Sequence, residues 1–254
     1  MHGLNRTRAP WIGAFLLAAF CTAGCAADMP ANVERSEADP WEPMNRRIDS
    51  FNQQVDRYTL KPIAKGYQKV VPEFMRKGVT NFSSNLRGPL HIINNFLQGD
   101  AGEGFSETGR FFVNSTIGVF GLFDIASRMG FQRYEEDFGQ TLAVWGVPSG
   151  PYVVVPFYGP QTLRDALALP IDFLADPLFY YEHDRYRYAL FALRMIDLRA
   201  RFLGVESFIE DSFDRYIAMR ESYLQHRRFE VYDGDPPEDE DFYDDYLDDL
   251  PDPE

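Results

Sequence analysis

The side chains that carry out most protein chemistry are few in this sequence and stand far apart. Histidine occurs four times, at His2, His91, His183 and His226. No two of them have the spacing of a zinc-binding pair such as His-Glu-x-x-His. The carboxylate run Glu135-Glu136-Asp137 has no such partner beside it, and an acidic loop is its simpler interpretation. We therefore expect neither a resident metal nor a cofactor.

Motifs for nucleophilic catalysis and for phosphate binding are also missing. The sequence has no Gly-x-Ser-x-Gly elbow, so an esterase or lipase would lack its nucleophile. Gly99, Gly102 and Gly104 are not followed by the Gly-Lys-Ser/Thr of a phosphate loop. Asp137-Phe138-Gly139 has the letters of the kinase magnesium motif but lacks the His-Arg-Asp catalytic loop. The sequence predicts a protein that is not an enzyme and has no catalytic residue.

Cys25 is the residue whose surroundings predict a covalent modification. Arg6 and Arg8 precede the almost wholly apolar run Ala9–Phe20, which is shorter than the roughly 20 residues that span a bilayer. The small residues 22–24 then lead to Cys25. This arrangement predicts a signal peptide over residues 1–24.

The four residues that end at Cys25 resemble the lipobox of bacterial lipoproteins. In a lipobox the cysteine is acylated and becomes the mature N-terminus; Thr22 stands here where leucine is usual. The alternative is an ordinary secretory signal that is cut near Ala26-Ala27. Two or more acyl chains anchor a protein stably to a membrane. Ala26, rather than aspartate, follows the cysteine, which by the lipoprotein sorting rule favours the outer membrane.

Charge divides the mature chain into a nearly neutral body and an acidic tail. The net charge of the whole chain is −14, yet residues 230–254 alone hold 13 acidic and no basic side chains. We predict a tether over residues 25–38, a folded body over 39–229 and a disordered tail over 230–254. The body has no basic face of the kind that binds nucleic acid.

Apolar residues recur at helical spacing along most of the body, which predicts a mainly helical domain. One helix follows Pro43 and another begins near Pro62, with Lys61, Lys65 and Lys69 on one face. This face could belong to a helix on a membrane surface, with its lysines toward lipid phosphates. It could equally be the solvated face of a soluble helix. Further helices are predicted from Pro72 to Gly88-Pro89, over 90–97 and 105–117, from Thr162 to near Pro170, over 186–203 and over 205–224.

Two features of the body do not fit a plain helical core. Asn81, Asn85, Asn94, Asn95 and Asn114 lie within helical, apolar surroundings, where asparagine is a poor helix residue. They either line a wet cavity or form caps and helix–helix hydrogen bonds.

The second feature is the stretch from residue 137 to 165, which is largely apolar but rich in proline and glycine. It includes Trp145 and Gly146 and a strand-like run of three valines. It must be a buried loop or lie against lipid with its polar groups turned inward.

Six separated stretches, in order over residues 39–228, carry a family resemblance. They are Asp39-Pro40-Trp41-Glu42-Pro43-Met44-Asn45-Arg46, Asn81-Phe82-x-x-Asn85-Leu86, Asn95-Phe96-Leu97-Gln98-Gly99-Asp100, Arg110-Phe111-Phe112-x-Asn114, Asp137-Phe138-Gly139-Gln140-Thr141-Leu142, and Gly150-Pro151-Tyr152 through Arg164-Asp165. Together they resemble the VacJ/MlaA family of outer-membrane lipoproteins.

The resemblance implies an all-α, ring-like single domain in the inner leaflet of the outer membrane. An amphipathic channel through the ring would remove phospholipid from the outer leaflet and pass it to a periplasmic lipid carrier, which maintains lipid asymmetry. The implied partners are phospholipid, an outer-membrane porin and that carrier. A structural adaptor that holds the porin or the carrier without moving lipid is the alternative function.

The motif residues are the candidates for lining the channel or for holding its shape. Besides the lipidation site Cys25, they are Asn45, Arg46, Asn81, Asn85, Asn95, Arg110, Asn114, Asp137, Phe138, Gly139, Trp145, Gly146, Arg164 and Asp165.

Overall fold

The computed structural model describes residues 38–204, 206, 209 and 212–237. The predicted signal peptide, Cys25, most of the predicted tether and the chain beyond Pro237 lie outside these residues. Nine α-helices account for most of the described part. They are α1 Glu42–Tyr58, α2 Leu60–Val70, α3 Glu73–Gln98, α4 Ala101–Thr116, α5 Ile125–Arg128, α6 Phe138–Val144, α7 Leu163–Ala175, α8 Asp184–Phe202 and α9 Arg215–Val231. The predicted mainly α class is confirmed.

A small hairpin interrupts the helices in the Pro/Gly-rich stretch. Strands β1 (Tyr152–Val155) and β2 (Gly159–Thr162) pair antiparallel, with Tyr152 opposite Thr162. Tyr152 and Val154 point inward, because alternate residues of a strand face the same side. They pack with Tyr216 of α9 in the one cluster of buried apolar side chains among the described residues. The hairpin therefore joins α1, α7 and α9.

The predicted break at Gly88-Pro89 is wrong, because α3 continues through Pro89 to Gln98. Proline in a helix interior removes a hydrogen bond and costs about 3 kcal/mol. Packing against α4 offsets this cost: a Cβ atom at Gly88 would lie 2.8 Å from Phe111, so the two helices touch closely at that point. α3 ends at Gly99, which has a φ of +99° as a left-handed cap.

Other predicted boundaries also shift. α4 begins at Ala101, four residues before the predicted start at residue 105. α7 continues past Pro170 to Ala175, whereas we predicted a stop at the proline. α9 begins only at Arg215, where the Asp214 carboxylate accepts hydrogen bonds from two backbone amides of the first turn. It then runs to Val231, two residues into the predicted tail.

Side chains in the described body are distributed in an unusual way. The buried set contains many polar residues, such as Asn45, Asn95 and Arg110, while large aromatic residues such as Phe74 and Phe120 are exposed. Soluble proteins seldom expose contiguous apolar patches above a few hundred Å². No helix among the described residues has the length and hydropathy to cross a bilayer.

Candidate functional site

Asn45 joins the beginning of the body to the hairpin. Its side chain is fully buried: Nδ2 donates to Asp39 Oδ1 at 2.8 Å and to the Tyr152 carbonyl at 3.0 Å, and Oδ1 accepts from Val154 N at 2.9 Å. The hydroxyl of Tyr216 donates to the other Asp39 oxygen. All the hydrogen-bonding groups of the Asn45 amide point to protein, so this residue holds the fold together.

Arg46, the next residue, reaches in another direction. Its guanidinium binds both carboxylate oxygens of Asp214, at 2.7 and 3.2 Å, and Glu42 at 2.6 Å. It also lies 4.4 Å from the ring centroid of Tyr216. These hydrogen bonds, with Asp214 the stronger partner, raise the pKa of Arg46. The pair fixes the start of α9 against α1.

A second polar group lies beside the helix pair α3 and α4. Arg110 is buried and donates to both oxygens of Asp124, each at 3.1 Å, and to the Phe131 carbonyl at 2.8 Å. Asn114 donates to Asp124 and accepts from the amides of Ile125 and Ala126. Burial opposes ionisation of Asp124, but its hydrogen bonds and the Arg110 charge lower its pKa. This group holds α5 and its flanking loops on α4.

From the α3 side, Asn81 binds the loop that precedes α5, and Asn85 binds the last turn of α4. Asn81 donates to the Leu122 carbonyl at 3.3 Å, and Asn85 donates to Ser115 Oγ at 2.9 Å. Together with Arg110 and Asn114 they line a crevice of about 20 Å³. Such a volume is enough for one water molecule. The structure thus brings four candidate residues together, around a space much smaller than a phospholipid.

Arg227 of α9 is the centre of a third polar group. Its guanidinium donates to Asp137 at 2.7 and 2.8 Å and to Asp165 at 3.0 and 3.1 Å. Burial disfavours its charged form, but the two carboxylates outweigh that effect and raise its pKa. Arg164 donates from Nε to Asp165 at 3.0 Å. Asp137, Arg164 and Asp165 therefore belong to one buried ion-pair network that joins α6, α7 and α9.

The apolar candidate residues of α6 and its C-terminal end lie next to this network. A Cβ atom at Gly139 would lie 2.5 Å from Asp165 Oδ1, so only glycine fits there. Phe138 packs edge-on against Trp145 at 6.1 Å between centroids, and Trp145 Nε1 donates to the Leu97 carbonyl at 3.0 Å. Gly146 has a φ of +86° and ends α6.

Asn95 lies in α3 near two buried titratable side chains, those of His91 and Glu136. Its amide donates to the His91 carbonyl at 2.8 Å, and its Oδ1 is buried without a hydrogen-bond partner among the described residues. His91 Nδ1 is 2.8 Å from the Glu136 carbonyl, and burial lowers the pKa of His91 to about 4. Burial raises the pKa of Glu136 to about 7, although Gln98 donates to its carboxylate. Both groups are thus biased toward their neutral forms.

One exposed surface, which we call the apolar tip, joins the start of α3 to the loop after α4. Phe120 is 76 % exposed and Phe74 is 74 % exposed. Val119 and Phe120 both have positive φ, which is rare for residues with a Cβ atom and turns the chain sharply. The members of the tip are Val70, Phe74, Met75, Ile117, Val119, Phe120, Leu122 and Phe123.

The backbone of the apolar tip is largely satisfied by its own hydrogen bonds. Among residues 117–123, every amide except that of Val119 donates to a carbonyl of residues 113–119. A backbone satisfied in this way can enter hydrocarbon at little cost, because few polar groups lose water. The tip therefore has the side chains and the hydrogen bonding of a surface that contacts lipid.

A larger cavity, the basic cleft, lies between α1, α2 and the start of α9. Its volume is about 680 Å³ and its walls are polar. The lining residues are Ser50, Gln53, Gln54, Asp56, Arg57, Lys61, Pro62, Lys65, Glu206 and Arg215. Two of the three lysines predicted to share a face of α2 thus line this cleft. Its size and charge suit a phosphate-containing headgroup.

Sequence reasoning missed the partners that complete the polar groups. Asp124, Arg227 and Tyr216 were not predicted, although each binds a candidate residue. The stripe of residues 216, 220, 223 and 227 in α9 has the spacing of one helical face and contains two tyrosines and two arginines. That stripe was the feature of the sequence from which Tyr216 and Arg227 could have been predicted as partners.

Comparison with known proteins identifies the family. Residues 37–230 match the MlaA lipoprotein family. The chain belongs to this family. A solved chain from work on the structural basis for maintenance of bacterial outer membrane lipid asymmetry is 37 % identical, with a TM-score of 0.68 over 78 % of this chain and 100 % of that one.

Curated relatives in the MlaA family carry a functional name. The intermembrane phospholipid transport system lipoproteins MlaA of Shigella flexneri and of Escherichia coli strain K12 are each 35 % identical to this chain. The matches cover 88 % of this chain and 90 % of each relative. The family is one of phospholipid-transport lipoproteins and not of enzymes, which confirms the expectation drawn from the missing catalytic motifs.

Proposed function

We propose that this protein is an outer-membrane lipoprotein that provides a passage for phospholipid. It removes mislocalised phospholipid from the outer leaflet and passes it to a periplasmic carrier, which maintains lipid asymmetry. The reversed distribution of side chains, with a polar interior and an apolar exterior, is the observation that supports this most. Such a body is stable where part of its surface faces hydrocarbon.

Two surfaces bind the two chemically different parts of the phospholipid. The apolar tip contacts acyl chains, since burial of apolar area contributes about 25 cal/mol per Å². The basic cleft receives the anionic headgroup through Arg57 and Lys65. Acylated Cys25 holds the body at the periplasmic face of the outer membrane, and a porin in that membrane is the expected neighbour.

Lipid transfer from vesicles tests this function. Vesicles that carry the acylated protein and a fluorescent phospholipid are mixed with the purified periplasmic carrier, and the label that reaches the carrier is measured. We expect transfer several-fold above that from protein-free vesicles. An Arg57→Glu/Lys65→Glu variant should transfer less than wild type. Equal transfer with and without the protein would refute the proposal.

An adaptor that docks a partner without moving lipid is the second candidate. A surface near the start of α8 favours it: Tyr180, Tyr186 and Tyr188 are exposed, and Arg185 and Arg187 lie over neighbouring tyrosine rings at 4.9 and 5.1 Å. Tyrosine and arginine are enriched in protein interfaces. Under this function, Tyr186→Ala with Tyr188→Ala abolishes partner capture while the protein transfers no labelled lipid.

A further inference from the structure

The basic cleft retains positive charge after its own ion pairs are formed. Asp56 binds Arg199 at 2.7 Å, and Glu206 binds both Lys61 at 3.0 Å and Arg199 at 2.8 Å. The two carboxylates that line the cleft are therefore already neutralised. Arg57 and Lys65 are exposed there, and neither has a carboxylate within 4.0 Å among the residues that the structure describes.

The other end of α9 has the opposite charge. α9 begins at Arg215 in the cleft and runs for 17 residues, which is about 25 Å of helix. Just beyond it, Asp233 lies close enough to Asp100 and Glu103 that burial and these like charges raise the pKa values of Asp233 and Glu103. Further negative charge is therefore disfavoured at this end of α9.

The chain continues from this acidic end as an acidic segment. Residues 238–254 contain ten acidic and no basic side chains, with Phe242, Tyr243 and Tyr246 between them. An extended chain of this length reaches roughly 55 Å, about twice the length of α9. The segment is long enough to return to the cleft, and charge favours that direction.

We propose that residues 238–254 bind in the basic cleft. Their carboxylates pair with Arg57 and Lys65, and their aromatic rings cover the aliphatic stems of these side chains and the exposed ring of Tyr58. The segment and an anionic headgroup then compete for the same two cations. This consequence rests on the proposed function, whereas the contact itself does not.

Distance measurement between two spin labels tests the contact. The acylated protein in detergent micelles carries labels at Ser50→Cys, in the cleft, and Asp248→Cys, in the segment. Acylation occupies the Cys25 sulfur, so only the new cysteines react. We expect a main population shorter than the roughly 25 Å length of α9. One molar salt should remove it, because the Debye length falls to about 3 Å.

Charge reversal gives the matched comparison. Arg57→Glu with Lys65→Glu should remove the short distance. Lys77→Glu with Arg185→Glu makes the same change in net charge away from the cleft and should leave the distance intact. A broad, long distance that is the same in all three proteins would overturn the proposal, whatever the outcome of the transfer assay.

Vesicle binding then tests the consequence. A chain that ends at Pro237 should bind phosphatidylglycerol vesicles about tenfold more tightly than the full chain. The Arg57→Glu/Lys65→Glu background separates cleft occlusion from a general loss of negative charge. Truncation should have little effect in that background, and an equal gain there would mean that the segment does not cover the cleft.

Discussion

The Arg227 network and the apolar tip are opposite in both exposure and chemistry. Arg227 is buried with Asp165 and also binds the half-buried Asp137, whereas 76 % of the surface of Phe120 is exposed. In a soluble domain the ring would be inside and the charges outside. This difference indicates that ion pairs and hydrogen bonds inside the body stabilise the packing of these helices. Apolar side chains can therefore lie on the outside and contact lipid. Changes inside should therefore lower stability, and changes at the tip should lower membrane binding.

Removal of the central arginine should have the largest effect. Arg227→Met leaves the half-buried Asp137 without its cation and the buried Asp165 with Arg164 alone, and breaking a buried ion pair costs about 3–5 kcal/mol. Chemical denaturation in detergent, followed by circular dichroism, measures this loss. The matched control is Arg47→Met, which removes an arginine from an exposed position of α1. Equal stability of the two variants would show that the network does not stabilise the fold.

A charge placed on the apolar tip should have the next largest effect, on binding instead of stability. Full burial of a Phe side chain contributes roughly 2–3 kcal/mol, so Phe120→Asp should weaken vesicle binding of the non-acylated Cys25→Ser protein by about 50-fold. Its unfolding free energy should stay within about 0.5 kcal/mol of wild type. Ser149→Asp puts the same charge on an exposed loop elsewhere and should bind like wild type. Identical binding of the two variants would remove the tip from the membrane contact.

A single added methyl group inside should cost less. Gly139→Ala places a Cβ atom 2.5 Å from Asp165 Oδ1 and 2.6 Å from Arg227, so the ion pair must shift. Overpacking of this kind costs about 1–3 kcal/mol. Thermal unfolding checks the effect, with Gly66→Ala as the control because no other described element comes within 4 Å of its Cβ position. Equal melting temperatures would mean that the network tolerates displacement.

The effect of Glu136 on stability appears only when two pH values are compared. Burial raises the pKa of Glu136 from the ordinary 4.5 to about 7, so the folded state binds an extra proton between these values. Its contribution to stability is present below pH 4.5 and is lost as the pH rises through 7. Glu136→Gln should remove this pH dependence, which reaches about 3 kcal/mol for a shift of this size because each pKa unit corresponds to about 1.4 kcal/mol. Unfolding free energies of both proteins at pH 4.5 and pH 8 measure the difference. The same change with pH in wild type and in Glu136→Gln would contradict the raised pKa of Glu136.

Local patterns predicted the helices well but placed several of their ends incorrectly. Spacing and Pro43 located α1, because periodicity and helix-start signals lie within a few residues of each other. Pro89 and Pro170 misled the prediction, since the cost of a proline inside a helix is local while its compensation is tertiary. The close contact of Gly88 with Phe111 is invisible until both helices are in place.

In the candidate site, too, contacts between neighbouring helices could be predicted, whereas contacts between distant parts of the chain could not. Asn81, Asn85, Arg110 and Asn114 were predicted and do meet at one crevice, because α3 and α4 are neighbours in sequence. The pair of Asp137 with Arg227 spans 90 residues, and no local signal joins them. The basic cleft was predicted only as a lysine face on α2, since its other wall comes from α1 and the start of α9.

Phospholipid at the cell surface gives the most direct test of the central claim, that this body moves lipid out of the outer leaflet. A membrane-impermeant amine reagent labels phosphatidylethanolamine in that leaflet of intact cells. Cells without the protein should show several-fold more labelled lipid than cells with it, and the wild-type protein should restore the low level. Equal labelling in the presence and absence of the protein would contradict the account.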